Sequence, residues 1–144
     1  MANTQIFQPG QILYVIDVYQ AQNCNIVSPK EAIFIKNSYY SIYVKVDNSI
    51  RIYNYNDMNQ LFFANFDDAI IATKKFPSIG NQVWIIKKNQ IFESTIQNID
   101  YAIFKGRSTL AISLSNGMYV LYCEIGKKLF LSKENAESYL NKKN

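Results

Sequence analysis

The sequence contains no histidine and only two cysteines, Cys24 and Cys123, among its 144 residues. Histidine is the commonest general base at neutral pH and the commonest metal ligand in proteins. Its absence excludes the usual Ser-His-Asp and Cys-His catalytic sites, and two cysteines alone provide too few ligands for an ordinary zinc site. The cysteines stand in unrelated contexts, so we expect them to be reduced. The sequence predicts no metal and no cofactor.

Carboxylates arranged for general acid–base catalysis are also absent. Asp67 and Asp68 are adjacent on a predicted helix, where neighbouring side chains point apart, and the other acidic residues are scattered. We therefore predict that the protein is not an enzyme. A structure that showed converging carboxylates in a deep pocket would reverse this expectation.

Long hydrophobic runs are missing too, since no stretch approaches the roughly 20 apolar residues of a membrane-spanning helix. The first ten residues, MANTQIFQPG, show neither the basic nor the apolar segment of a signal peptide. We therefore expect a cytoplasmic protein with no membrane partner. Hydrophobic residues make up 49% and aromatic residues 15% of the chain, which is too much for a disordered protein.

Two segments from the first half of the chain resemble two segments from the second half. LFFANFDDAI at residues 61–70 resembles LFLSKENAESYL at residues 129–140, and GQILYVI at residues 10–16 resembles GNQVWII at residues 80–86. This pattern predicts two tandem diverged repeats, residues 1–76 and residues 77–144. Repeats of this size are near the lower limit of independent stability, so we expect them to pack together as one compact unit.

The predicted fold class is α+β, mainly β. Each repeat contains strand-like apolar runs, a hairpin and one short helix, which favours a small SH3-like barrel or a bent antiparallel sheet of about five strands closed by the helix. Asn65 and Ser132 are predicted to cap the two helices. Ala69 and Ala136 are expected to face the sheets, since they lie on the apolar side of each helix.

The first hairpin, SIYVKVDNSIRIYNY, contains the main candidate binding residues. A three-residue loop would pair Val46 with Ile50 and direct the aliphatic side chains of both strands to one buried face. Lys45 and Arg51 would then be neighbours on the opposite face, beside stacked tyrosines, where they would suit an anionic partner. The candidate residues are Tyr43, Lys45, Arg51, Tyr53 and Tyr55. The alternative interpretation is an ordinary solvated surface.

The second hairpin, TLAISLSNGMYVLYCE, contains the Asn-Gly pair that is typical of a two-residue turn. This turn would pair Ser115 with Met118 and bury Leu114 together with Tyr119. The opposite face would then be small and apolar, so that it is covered by the first repeat or forms a homodimer interface. Its predicted members are Ala111, Ser113, Met118, Val120 and Tyr122.

The net charge of +4 comes entirely from the second half, because the first 76 residues carry six basic and six acidic side chains. The basic residues of the second half form a candidate phosphate-binding patch. An ordinary solvated surface is the alternative. The members of this candidate patch are Lys87, Lys88, Lys105, Arg107, Lys127 and Lys128.

A sheet followed by an aromatic-aliphatic pair, Ser, Glu and Ala, as in LFLSKENAESYL, resembles the ending of many small proteins of bacteria and their phages. The first copy departs from that pattern at Asn65 and Phe66. The resemblance implies a phage or mobile-element setting and no particular chemistry. The absence of catalytic groups, beside two surfaces of the size that a protein could cover, predicts a non-enzymatic protein that recognises or blocks a protein or ribonucleoprotein. In a phage setting, one concrete form is an inhibitor of a host defence nuclease of the CRISPR type. The alternative is direct binding of RNA or single-stranded DNA through the first hairpin.

Overall fold

The computed structural model describes residues 7–22 and 24–143, without the side chains of Cys24 and Lys143. The strands are β1 (Ile12–Ala21), β2 (Cys24–Asn37), β3 (Ser41–Val46), β4 (Ser49–Asn54), β5 (Phe62–Phe63), β6 (Gln82–Lys87), β7 (Gln90–Phe104), β8 (Arg107–Leu114), β9 (Tyr119–Leu121) and β10 (Leu129–Phe130). The helices are α1 (Phe66–Lys75) and α2 (Lys133–Lys143), and short 3-10 turns span Tyr55–Asp57 and Tyr122–Glu124. No helix in these described ranges is long and apolar enough to cross a membrane.

The strands form two five-stranded sheets, in the orders β4-β3-β2-β1-β5 and β10-β6-β7-β8-β9. The predicted mainly β class, with two such sheets and two helices, is confirmed. Over the described residues both sheets are open, since their outer strands are β4 and β5 in one sheet and β9 and β10 in the other. A closed barrel is therefore not what the chain forms.

The chain folds into two compact units. Unit 1 comprises Met1–Tyr19, Ile26–Phe76 and Tyr101–Thr109, and unit 2 comprises Gln20–Asn25, Pro77–Asp100 and Leu110–Asn144. Each unit thus includes a short segment from the other half of the chain, at the tips of the β1–β2 and β7–β8 hairpins. The predicted division into repeats at residues 1–76 and residues 77–144 stays a prediction.

Both helices begin at the predicted caps. The side chain of Asn65 accepts a hydrogen bond from the Asp68 N–H at 2.9 Å, and the hydroxyl of Ser132 accepts one from the Asn135 N–H at 3.1 Å. Each bond satisfies a first-turn donor that the helix itself leaves unpaired. Ala69 and Ala136 are both fully buried, as their positions on the helix faces predict.

The register of the β3–β4 hairpin differs from the predicted one. Val46 lies opposite Ser49, across a two-residue turn at residues 47 and 48. Asp47 adopts a φ of 55° in this turn, and aspartate tolerates that left-handed conformation better than most residues. The prediction of a three-residue loop that pairs Val46 with Ile50 was wrong, because the chain reverses direction one residue earlier.

In the β8–β9 hairpin the loop is one residue longer than predicted. The N–H of Leu114 donates to the carbonyl oxygen of Met118 at 2.8 Å, so the loop has three residues, Ser115–Gly117. Gly117 supplies the positive φ, at 89°, as a three-residue hairpin loop requires. The predicted pairing of Ser115 with Met118 was wrong. As a result Tyr119 is 68% exposed and its neighbour Val120 is buried.

Candidate functional site

The outward surface of β2, β3 and β4 is the most distinctive candidate site in unit 1. On the inward side of these strands Phe34, Val44 and Tyr53 are buried. The outward side follows from strand alternation and the observed register. Two rows of side chains cross it, one of Ile33, Lys45 and Ile50 and the other of Lys36, Tyr43 and Ile52. We call these six residues the outer hairpin face.

The outer hairpin face combines exposed aliphatic side chains with free cations. Ile33 is 45% and Ile50 is 56% exposed. The ammonium of Lys36 lies 4.8 Å from the ring centroid of Tyr43, and among the described residues neither Lys36 nor Lys45 has an acidic partner. The surface therefore combines exposed aliphatic side chains with positive charge, and Lys45 lies between Ile33 and Ile50.

Arg51 lies on the inward side of β4, opposite Val44. Its guanidinium forms an ion pair with Asp17 at 3.1 Å and donates to the hydroxyl of Tyr53 at 3.3 Å. It also stacks 4.3 Å from the ring centroid of Tyr101. The expectation that Arg51 is a cross-strand neighbour of Lys45 on an exposed surface was wrong, because Asp17 supplies a counter-ion inside.

Burial controls the proton affinities in this cluster. It raises the pKa of Tyr53 to about 12, although the neighbouring Arg51 charge and hydrogen bond act in the opposite direction. Burial alone would lower the pKa of Arg51, but its hydrogen bonds and charge interactions with Tyr53 and Asp17 outweigh that effect and raise it. At neutral pH the cluster therefore holds a protonated tyrosine and a charged arginine.

Tyr55 stands at the far end of the hairpin, in the first 3-10 turn. Its N–H donates to the carbonyl oxygen of Tyr40 at 2.8 Å. Tyr40 and Tyr39 are exposed and contact each other edge to face, with ring centroids 4.4 Å apart. Of the five predicted binding residues, the structure thus places Tyr43 and Lys45 on the outer hairpin face and the other three elsewhere. Binding by any of the five stays a prediction.

The predicted basic patch is divided between the units. Lys87, Lys88, Lys127 and Lys128 belong to unit 2, whereas Lys105 and Arg107 belong to unit 1. Within unit 2, Lys128 forms an ion pair with Glu124 at 2.9 Å, and its carbonyl accepts a hydrogen bond from the N–H of Ile86, next to Lys87.

Arg107 does not behave as a free surface charge in unit 1. It donates to the hydroxyl of Ser41 at 2.9 Å. Burial raises the pKa of Asp57, and the charge of Arg107 partly counteracts this. Phosphate binding by the six basic residues remains untested.

One residue of the predicted homodimer face lies in the core instead. Val120 lies opposite Ile112 and is only 2% exposed, so it belongs to the core. Ala111, Ser113, Met118 and Tyr122 are partly exposed. A homodimer through these four residues stays a prediction.

Sequence reasoning missed several residues of the outer hairpin face. Ile33 and Lys36 lie on β2, outside the predicted hairpin, although Ala32 and Phe34 alternate with Ile33 in the manner of a half-buried strand. Ile50 and Ile52 were assigned to the core by the wrong register. The Asp47–Asn48 pair was the available signal, since both residue types favour tight two-residue turns.

In the described ranges no group of three or more Cys, Asp or Glu side chains is placed to hold a metal ion. Cys123 is a free, exposed thiol in the second 3-10 turn. Comparisons with protein-family models, curated proteins and solved structures found no significant match to this chain.

Proposed function

We propose that this is a non-enzymatic binding protein that recognises or blocks a macromolecular partner through the outer hairpin face. The main support is the position of Lys45 between two exposed isoleucines, Ile33 and Ile50, on neighbouring strands. Apolar contact area provides much of the affinity at protein interfaces, and charged groups select partners of opposite charge. Large aliphatic side chains grouped on an exposed sheet are costly unless a partner covers them for part of the time.

A capture experiment tests this proposal. Tagged protein is used to isolate partners from the source cells, with and without nuclease treatment, and the captured material is identified by mass spectrometry. Ile50→Ser should lose the partner, whereas Tyr119→Ser, on the hairpin of unit 2, should retain it. Both side chains are exposed, so neither change should unfold the protein. Equal capture by the two variants would remove the outer hairpin face from consideration.

Direct binding of RNA or single-stranded DNA is the second candidate. It is favoured by the Lys36–Tyr43 stack and by the exposed rings of Tyr39 and Tyr40, because nucleic-acid bases stack on tyrosine beside cations that contact phosphate. Titration with labelled oligonucleotides at two salt concentrations distinguishes the candidates. Direct binding should weaken steeply with salt, and an absence of binding at low salt excludes it.

The most concrete form of the proposal is a cytoplasmic inhibitor, of phage or mobile-element origin, that acts on a host defence nuclease such as a CRISPR effector. The support is the resemblance of the LFLSKENAESYL segment together with the net positive charge of +4. A protein that imitates DNA would be acidic, so this positively charged chain would instead bind the nuclease protein or the guide RNA of that nuclease. Addition of the purified protein to the cleavage reaction of the captured nuclease tests this form.

We also propose that the two units are diverged tandem repeats of an SH3-like arrangement. Both strand orders place the strand that follows the 3-10 turn beside the first strand of the unit. In addition, the segment between Val44 and Arg51 is longer than the one between Leu114 and Met118. That difference supplies the length change needed to align the two halves on either side of their hairpins.

A further inference from the structure

β4 is an edge strand that differs from the other outer strands in length. It contains six residues, whereas β9 has three and β5 and β10 have two each. Among the described residues β4 pairs only with β3. An edge of this length presents a row of main-chain groups that another extended chain can pair with.

The outward groups of β4 belong to Ile50 and Ile52. In an antiparallel hairpin with a two-residue turn, the pair next to the turn exchanges both hydrogen bonds, and every second residue repeats that pattern. Ser49, Arg51 and Tyr53 therefore point their main-chain groups toward β3. The Tyr55 N–H donates to the Tyr40 carbonyl at 2.8 Å, so every second residue from Ser49 to Tyr55 points its main-chain groups to the same side. The N–H and C=O groups of Ile50 and Ile52 are left to face outward.

β4 lacks the features that normally protect an edge. Its sequence, SIRIYN, contains no proline, glycine or lysine, and these residues commonly discourage edge pairing. The one charged residue, Arg51, is turned inward onto Asp17. Ile50 is 56% exposed, so the strand presents both free main-chain groups and an apolar side chain.

The charges near this edge select the kind of partner. Lys45 lies opposite Ile50, Lys36 lies opposite Tyr43, and both lysines are exposed without an acidic partner among the described residues. The nearby carboxylates of Asp47 and Asp17 are already paired, with Lys30 and Arg51 respectively. The exposed Glu31 belongs to β2, two strands away from β4.

We propose that β4 accepts an extended acidic segment of a partner protein, which adds to the first sheet as a further strand. Main-chain hydrogen bonds to Ile50 and Ile52 would provide affinity. Alternate residues of the added strand share one face, so its acidic side chains would all lie on the side of Lys36 and Lys45, and its apolar side chains on the other side. A second copy of this chain is a poorer occupant, because β4–β4 pairing would gather two copies of Lys36 and Lys45 on one face. This inference rests on the proposed binding function and specifies its mode.

The test uses a short, end-blocked peptide of alternating glutamate and valine, with a lysine–valine peptide as its control. Fluorescence anisotropy should show binding of the acidic peptide alone, and that binding should weaken with salt. In amide hydrogen exchange, Ile50 and Ile52 should exchange rapidly in the free protein and become protected with the peptide. Arg51 and Tyr53, whose amides already pair with β3, should change little.

Matched charge reversals complete the test. Lys45→Glu should weaken the acidic peptide about tenfold, which corresponds to the loss of one favourable charge interaction of roughly 1.4 kcal/mol. Lys133→Glu, at an exposed position of unit 2, should leave the affinity unchanged. Failure of the acidic peptide to bind or to protect Ile50 and Ile52 overturns the inference, as does equal binding of both peptides. A dimer of the free protein in sedimentation, with these amides already protected, would overturn it in favour of a second copy.

The outcome for the proposed function is read separately. If wild-type protein captures a partner that Ile50→Ser does not, but the captured partner leaves the Ile50 and Ile52 amides unprotected, then the outer hairpin face binds by its side chains. In that case strand addition is wrong and the binding function stands. If neither the peptide nor any partner binds, both proposals fail.

Discussion

The β3–β4 hairpin of unit 1 and the β8–β9 hairpin of unit 2 have equivalent places in their strand orders but differ in length. In unit 1 two further residue pairs follow the Val44–Arg51 pair before the turn, whereas in unit 2 the turn follows Leu114 and Met118 directly. The additional pairs in unit 1 supply Lys45 and the exposed edge at Ile50. The same order of strands thus presents a long open edge in one unit and a short one in the other.

The interiors of the two hairpins differ as well. Arg51, opposite Val44, is largely shielded from solvent beside Asp17, whereas Met118, opposite Leu114, borders a groove of about 340 Å³ in unit 2. One unit therefore places an ion pair and a stacked tyrosine where the other places an uncharged methionine. Buried ion pairs contribute little net stability compared with apolar packing, but they are costly to break on one side.

Removal of one partner of the buried pair should have the largest effect. Asp17→Leu leaves Arg51 without a counter-ion in a site where its side chain is 15% exposed, and should lower the free energy of unfolding by about 3 kcal/mol. The double variant Asp17→Leu/Arg51→Met removes both charges and introduces the methionine that unit 2 has at the equivalent place. It should recover most of that loss. Urea denaturation at pH 7 measures both variants. A double variant as unstable as the single one would contradict the proposed coupling.

Alkaline pH should destabilise the folded protein through ionisation of Tyr53. The pKa of Tyr53 is raised to about 12 by burial, so its protonated form favours the folded state. This contribution is fully present below the unfolded pKa of about 10 and is lost as the pH rises through 12, which amounts to roughly 2 to 3 kcal/mol.

Urea denaturation between pH 9 and pH 12 measures that loss. Tyr53→Phe should flatten the pH dependence that wild type shows in this range. Identical slopes for wild type and Tyr53→Phe would show that Tyr53 does not carry the effect.

The helix caps should respond alike in the two units. Asn65→Ala and Ser132→Ala each remove an N-cap and should cost about 1 kcal/mol in thermal or urea denaturation. The loss should be somewhat larger for Asn65, since its amide also donates to the Asp68 carboxylate at 2.8 Å. Asn65→Ser and Ser132→Asp, which keep a capping oxygen, are the controls. Unchanged stability of both alanine variants would mean that the caps do not limit helix formation.

The smallest effect is expected at the surface ion pair of unit 2. Lys128 and Glu124 lie 2.9 Å apart, but the side chain of Lys128 is 67% exposed. Exposed ion pairs are screened by water and salt, so Lys128→Ala should leave the denaturation midpoint within experimental error. A loss comparable to that of Asp17→Leu would contradict the distinction between exposed and buried pairs.

Local features of the fold were predictable from the sequence because they depend on neighbouring residues. The caps at Asn65 and Ser132 and the helix faces at Ala69 and Ala136 need only short-range patterns. The mainly β class follows from alternating apolar runs. The hairpin registers were not recovered, since a turn of two or three residues changes every cross-strand pair beyond it and inverts the faces.

The candidate site was predicted only in part for a related reason. Tyr43 and Lys45 lie on β3, whose inward and outward residues were assigned correctly. Arg51 was expected in solvent because the predicted three-residue loop placed it on the outward face of the hairpin. Its partner Asp17 is 34 residues earlier in the chain, and no local pattern in the sequence connects the two. The inward position of Arg51 therefore depends on a long-range contact that only the folded chain reveals.

Site-specific photocrosslinking tests the difference between the two hairpins most directly. A photoreactive phenylalanine analogue is placed at Ile50 in one sample and at Tyr119 in another, both exposed, and each protein is irradiated in the source cells. We predict that a partner is crosslinked from position 50 and not from position 119. Crosslinks from position 119 alone, or equally from both, would contradict the assignment of binding to the long edge of unit 1.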